Sequence, residues 1–251
     1  MTLYEFPFNE GTRTMLRLEQ LFERLQVLVA RTAALDHHFA LLTLFEIIDV
    51  AARADIKADL LKDLERHRAR LEGFRGNPQI AESSLDGALL RIQEAFDGLN
   101  ALNGRAGHVL TANEWLMSVR SRISIPGGTC AFDLPGYHAW QQLDADVRRQ
   151  DLVQWAATLA PLWRALRLLL ALLREGASAQ RVHAPGGVFQ QRIPEGRSYQ
   201  LLRVTLSAED ARVPEISGHR LMVSVRLMRR EPDGRLKAAA EDASFDLALC
   251  A

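Results

Sequence analysis

The stretch "SIPGGTCAFDLPGYHAW", Ser124 to Trp140, places Cys130, Asp133 and His138 close together. These are the residue types of a thiol nucleophile, an orienting carboxylate and a general base, the set a cysteine-dependent hydrolase would use. Such a triad is a spatial arrangement, and no second motif accompanies it here. Cys130 therefore reads as a small half-buried residue, and so does Cys250. Gly127-Gly128 has neither a following Lys-Ser/Thr nor a G-x-G-x-x-G frame. It reads as a turn with positive φ rather than a phosphate loop. His37, His38, His67, His108, His138, His183 and His219 form no H-x-x-x-H or H-E-x-x-H pattern. Neighbouring histidines on a helix point about 100° apart, so no metal site is expected. His138 lies between Tyr137 and Trp140, and two readings stay open: a packed core histidine, or a residue lining a peptide groove.

The arginines carry more information. Arg13, Arg17, Arg24 and Arg31 fall on one stripe of a helix, offset from its leucines. That stripe is either a solvated face paired with Glu10 and Glu23 or part of a binding surface. In "HRLMVSVRLMRR" no acid occurs between Glu215 and Glu231. On a strand, Leu221, Val223, Val225 and Leu227 share the core face, and Arg220, Met222, Ser224, Arg226, Met228 and Arg230 share the other. Guanidinium forks suit carboxylates, and methionines adapt to aliphatic side chains. The partner that fits is a peptide carrying both.

These residues must be held by two kinds of structure. Asn9 is placed to cap a helix from Glu10, along which Leu18, Leu21, Leu25 and Leu28 face a core. Further helices are expected at about 36–53, 57–72, 82–102 and 111–120, then a short one at "PGYHAWQQL". A long one follows over about 146–175, with Trp155, Leu159, Leu162, Leu166, Leu169 and Leu173 on one side and a C-terminal cap at Gly176. The last third reads as strands: "YQLLRVTL", "LMVSVRLM" and "SFDLALC", with "EPDGR" a turn between the last two. "LYEF" near the start also reads as a strand and has no local partner, so it should join the late sheet. The expected fold class is α+β. A mainly helical domain over 9–176, with a junction loop at 124–136 leading toward the strands, accompanies a smaller antiparallel β-domain of 1–8 and 177–251.

The chain of 251 residues holds 31 Lys+Arg against 31 Asp+Glu, so bulk charge makes no case for nucleic acid or an acidic membrane. Two cysteines are too few for a disulfide framework. The first residues lack the basic-then-apolar order of a signal peptide. "LAPLWRALRLLLALL" is interrupted by Arg164 and Arg167, which makes it a poor membrane span. A cytoplasmic protein without membrane insertion is expected.

Four blocks in order, "FPFNEGTRTMLRLEQLF", "RSRISIPGGTCAFDLPGYHAW", "PEISGHRLMVSVRLM" and "FDLALC", resemble the ZapD (YacF-like) family of bacterial cell-division proteins. The resemblance implies a non-enzymatic, cofactor-free homodimer at the mid-cell division ring. It would bind the short C-terminal tail of the tubulin-like GTPase FtsZ and bundle its filaments. Basic residues are implicated in tail binding. By motif the candidates are Arg17 in "RTMLR", His138 in "YHAW", and Arg220 and Arg226 in "SGHRLMVSVR", with Arg13 and Arg230 beside them. Two departures stand out: Met222 occupies a position where a basic residue is plausible, and Glu114 adds negative charge just before "WLMSVR".

Overall fold

In the computed structural model of the chain, which describes residues 1–53, 56–219 and 221–251, helix α1 spans Glu10–Ala30. Its start is set by Asn9, whose side-chain oxygen accepts the Thr12 N–H at 2.8 Å. The described residues form two units, Thr14–Leu169, and Met1–Arg13 with Leu170–Ala251.

The first unit is helical. It contains most of α1, then α2 (Ala34–Arg53), α3 (Ile56–Glu72), α4 (Glu82–Asn100), α5 (His108–Thr111), α6 (Glu114–Ile123), α7 (Pro135–Gln141), α8 (Ala145–Ala157) and the first part of α9 (Ala160–Glu175). Helix α2 buries Ala40, Leu41, Leu44, Phe45, Ile47, Ile48 and Ala51, more than one stripe, as a helix enclosed by others must. Two helix expectations are corrected. The segment expected at 111–120 begins at Glu114, because Asn113 caps it by accepting the Leu116 N–H at 3.0 Å. The long helix expected over 146–175 is two helices, α8 and α9, bent by 64°. In a continuous helix the Pro161 ring would meet the Ala157 carbonyl; near the start of α9 it costs nothing. Leu159, Leu162, Leu166, Leu169 and Leu173 are buried as expected, but Trp155 belongs to a different cluster, stacked on Trp115 at 5.4 Å. Gly176 does follow α9, bonding its N–H to Leu172 O at 3.2 Å, but without the positive φ of a left-handed cap. No single helix among the described residues is long and apolar enough to cross a membrane.

The 124–134 segment joins α6 to α7 within the helical unit, rather than leading to the strands. Gly127 has φ 70°, the positive value its turn requires. At Gly128 a Cβ would come within 2.5 Å of Arg122 O, so only glycine fits.

A buried guanidinium ties this unit together. Arg148 on α8 is 5% exposed and donates from Nε to His37 Nδ1 at 3.0 Å. Its other nitrogens reach Thr32 O at 2.8 Å, Gln141 O at 3.1 Å and Leu143 O. Arg149 donates to Val29 O and Arg31 O, each at 3.2 Å. The last turn of α1 has no basic residue of its own. Two guanidinium groups from α8 therefore meet the carbonyls at and just beyond its end, where the helix dipole is negative.

The second unit contains β1 (Thr2–Pro7), β2 (Gln180–Ala184), β3 (Val188–Arg192), β4 (Leu201–Leu206), β5 (Arg212–His219), β6 (Met222–Arg230), β7 (Leu236–Ala238) and β8 (Ala243–Cys250). One antiparallel sheet has the order β1-β4-β8-β2; the other has β3-β6-β5, with β7 also on β6. The fold is α+β, and the N-terminal strand joins the late sheet as expected, running from Thr2↔Leu206 to Pro7↔Leu201. Both sheets feed one core that includes Leu202, Val204, Val223, Val225, Leu227 and Phe245. The "EPDGR" turn closes with Glu231 N–H to Arg235 O at 2.8 Å, but it delivers the chain to β7 rather than to the last strand. Strand β5, which carries Pro214 and Gly218, was not expected. It lies at a sheet edge, where a proline leaves no interior ladder bond unmade.

Candidate partner-binding surface

Strand β6 presents the alternation its sequence implies. Val223, Val225 and Leu227 are fully buried, while Met222, Arg226 and Arg230 are exposed. Leu221 departs from the pattern: it is 48% exposed, because it sits in the turn before the strand begins. Arg220 lies outside the described residues.

Register decides what surrounds these side chains, since residues directly opposite in an antiparallel ladder point to the same face. Val188 and Glu215 flank Arg226, Gln190 and Ser217 flank Ser224, and Arg192 and His219 flank Met222. Val213 and Ala238 flank Met228. The outer face of this sheet thus carries Arg192, Arg226, Arg230 and His219, interleaved with Val188, Met222 and Met228, against a single strand-borne acid, Glu215. Arg226 and Glu215 pair at 3.7 Å, with side chains 56% and 59% exposed. An exposed pair of that kind contributes about 0–1 kcal/mol, so another carboxylate can displace Glu215. Among the described residues neither Arg192 nor Arg230 has an ion-pair partner. At the Arg192 end the face drops into a hollow of about 530 Å³, walled also by Ile193, Pro194, Glu195, His219, Leu221 and Met222. A cation beside aliphatic and thioether walls suits a side chain or chain end that is part apolar and part anionic.

The other candidates stand on the helices. Arg13 pairs with Glu10 at 3.2 Å, as the solvated-face reading requires. Arg24 pairs with Glu46 of α2 rather than with Glu23, and Arg31 pairs with Asp36 at 3.2 Å. Arg17 is exposed on α1. His138 is exposed on α7, whereas Tyr137 and Trp140, which lie on the same turn, are buried. The core-histidine reading is thereby excluded. Tyr137 shares a hydrogen bond with His38 Nδ1 at 2.6 Å, and burial pushes its hydroxyl pKa upward. Glu114 occupies the first turn of α6, where a carboxylate meets the positive end of the helix dipole.

The thiol constellation does not assemble. Among the described residues Cys130, Asp133 and His138 make no side-chain hydrogen bond to one another. Cys130 is exposed rather than half-buried; only its backbone is engaged, its carbonyl accepting from the Asp133 and Leu134 N–H groups. Cys250 is fully buried, which pushes its thiol pKa upward. No three His, Cys, Asp or Glu side chains among the described residues converge as metal ligands.

Arg192 is the residue that sequence reading passed over. In "VFQQR" two adjacent glutamines blur the alternation, and only Phe189 and Ile193 on the core side expose it.

A sequence model of the family described as ZapD, cell division protein, matches residues 16–226. The matched span runs from the first helix to the middle of β6. It includes the α6–α7 loop, all of β3 and β5, and the central arginine of the candidate face. The chain belongs to the ZapD family of cell division proteins.

Proposed function

We propose that this protein is a non-enzymatic crosslinker of the mid-cell division ring: it binds the C-terminal tail of FtsZ and, as a homodimer, bundles FtsZ filaments. Membership of a cell division family supports the setting. The observation that carries the binding site is the outer face of the β3-β6-β5 sheet. There Arg192, Arg226 and Arg230 stand among methionine and valine side chains with one loosely paired acid. Carboxylates of the tail take the guanidinium forks, and its aliphatic side chains lie on the thioethers. Arg17 and His138, both exposed, are further contact candidates on the helical unit.

Binding of a labelled FtsZ tail peptide to the full chain tests this reading. Arg226→Glu combined with Arg220→Glu should abolish peptide binding and filament bundling while circular dichroism stays unchanged. Full binding by the well-folded double variant would remove the sheet face as the site. Arg17→Glu should weaken binding less, and unchanged affinity would drop α1 from the contact set.

A further inference from the structure

We propose that His37 and Arg148 form a pH-sensitive latch: neutral His37 keeps the end of α1 against α8, and its protonation releases that end and widens the apolar groove between the two helices. The groove lies within the helical unit and encloses about 380 Å³. Leu25, Val29 and Ala30 of α1 form one wall; Val153 and Ala156 of α8, with Trp163 of α9, form the other.

The two ends of the groove are closed by different physics. At one, Phe22 of α1 stacks on Trp163 with ring centroids 4.9 Å apart, a contact without a titrating group. At the other, guanidinium groups of α8 take the orphan carbonyls at the end of α1. Arg149 reaches Val29 O and Arg31 O at 3.2 Å each, and Arg148 reaches Thr32 O at 2.8 Å. Val29 both lines the groove and supplies one of these acceptors, so its wall is tied to them. His37 of α2 joins both sides: its Nδ1 accepts from Arg148 Nε at 3.0 Å, and its Nε2 donates to Arg31 O at 2.9 Å.

A neutral imidazole meets both demands with one proton. The charged ring carries a proton on each nitrogen, so its Nδ1–H would point at the Nε–H of a buried guanidinium. An acceptor is lost and two positive charges face each other in a medium that screens them poorly. No acid among the described residues is placed to offset this. Asp36 of α2 is engaged by Arg31 at 3.2 Å, and Asp146 of α8 by Arg149. The end of α7 and the turn after it offer only the neutral carbonyls of Gln141 and Leu143. His38 turns away to the Tyr137 hydroxyl at 2.6 Å. Burial lowers the His37 pKa, so release comes on the acid side of its ordinary value.

The test measures the α1–α8 distance in the full chain. Spin labels are attached through Val27→Cys on α1 and Gln154→Cys on α8, both exposed positions, with Cys130→Ser removing the exposed native thiol. The labelled chain is mixed with excess unlabelled chain, so that only distances within one chain are read. Electron paramagnetic resonance is recorded from pH 7.5 to 5.0, with circular dichroism in parallel. The label separation should lengthen as pH falls while helicity is unchanged. It should stay constant in His37→Asn, whose side-chain oxygen accepts from Arg148 without titrating. A separation that ignores pH, or that lengthens equally in His37→Asn, overturns the latch. So does a loss of helicity in step with the distance, because the whole unit is then unfolding. Should His37→Asn fail to fold, the His37 ring is titrated in the wild-type chain by nuclear magnetic resonance. A midpoint matching that of the distance change supports the latch, and separate midpoints overturn it.

Discussion

At Arg148 a full positive charge is buried with no carboxylate beside it among the described residues, held by carbonyl dipoles and one imidazole. The arrangement dictates the state of His37. Its Nδ1 must accept from Arg148, so its proton sits on Nε2 and is donated to Arg31 O at 2.9 Å. A second positive charge there would face the guanidinium inside the fold. Burial, the largest cause, pushes the His37 pKa below its ordinary value; the hydrogen bond to the Arg31 backbone pulls it partly back, and the charges of Arg148 and Arg149 add to the lowering. The sign follows. The unfolded chain takes up this proton near pH ~6.5, while the folded chain resists it. The stabilisation is therefore complete above that pH and is lost as pH falls through the lower folded value. His38 and His67, also lowered by burial, act in the same direction. Melting temperature should decline between pH 7.5 and 5.5, and His37→Asn, which keeps an acceptor for Arg148, should flatten that decline; parallel curves for the two proteins would refute the assignment. Arg148→Met strands several buried acceptors at about 1–3 kcal/mol each. At roughly 2–4 °C per kcal/mol the loss should be plain in a thermal melt, and an unshifted melt would show that water replaces the guanidinium.

Among the elements, β1 is the one whose partner lies farthest along the chain. It pairs with β4 through six register positions and places Phe6 and Phe8 against Gly218 of β5. Deleting residues 2–8 exposes the edge of β4 and uncovers apolar surface. Amide exchange should accelerate in β4 and β8 more than in the helices of the Thr14–Leu169 unit. Acceleration confined to those helices would contradict the pairing. Gly218→Ala probes the same contact more gently. Its methyl must displace two aromatic rings, an overpacking cost of about 1–3 kcal/mol, visible as a shifted denaturation midpoint with an unchanged slope.

For the whole molecule the proposed crosslinking turns on valency. If one site holds one tail, bundling requires a particle with two. A filament displays tails in rows, and bivalent attachment raises avidity without new contacts. On that proposal each single contact should be weak, since ordering a flexible tail forfeits about 2–5 kcal/mol. A monomeric variant should bind tail peptide and fail to bundle. Added salt should weaken bundling, followed by light scattering, more steeply than single-peptide binding, because exposed charge pairs are screened and bundling needs two of them together. Equal salt dependence of the two, or bundling by a verified monomer, would point instead to stabilisation along one filament.

What the sequence determined by itself is what local physics encodes. Asn9 before an apolar period of about 3.6 fixes where α1 starts. Strict alternation in "MVSVRLM" sorts Val223, Val225 and Leu227 inward and Met222 and Arg226 outward. "PDG" makes a turn whatever follows it. These signals also sufficed for the α+β class and for sending "LYEF" to the late sheet. The α8–α9 break was written in Pro161, but a strong leucine period masked it. The remainder was decided by tertiary structure. No local pattern states that Glu215 and Arg192 belong on the face of Arg226, because that depends on which strands pair and in what register. Nor could spacing bring His37 to Arg148 across 111 positions, or keep Cys130 and His138 from making a pair. Contacts between distant residues depend on how whole elements pack to bury their apolar faces, and that outcome belongs to the assembled core rather than to any single stretch of chain.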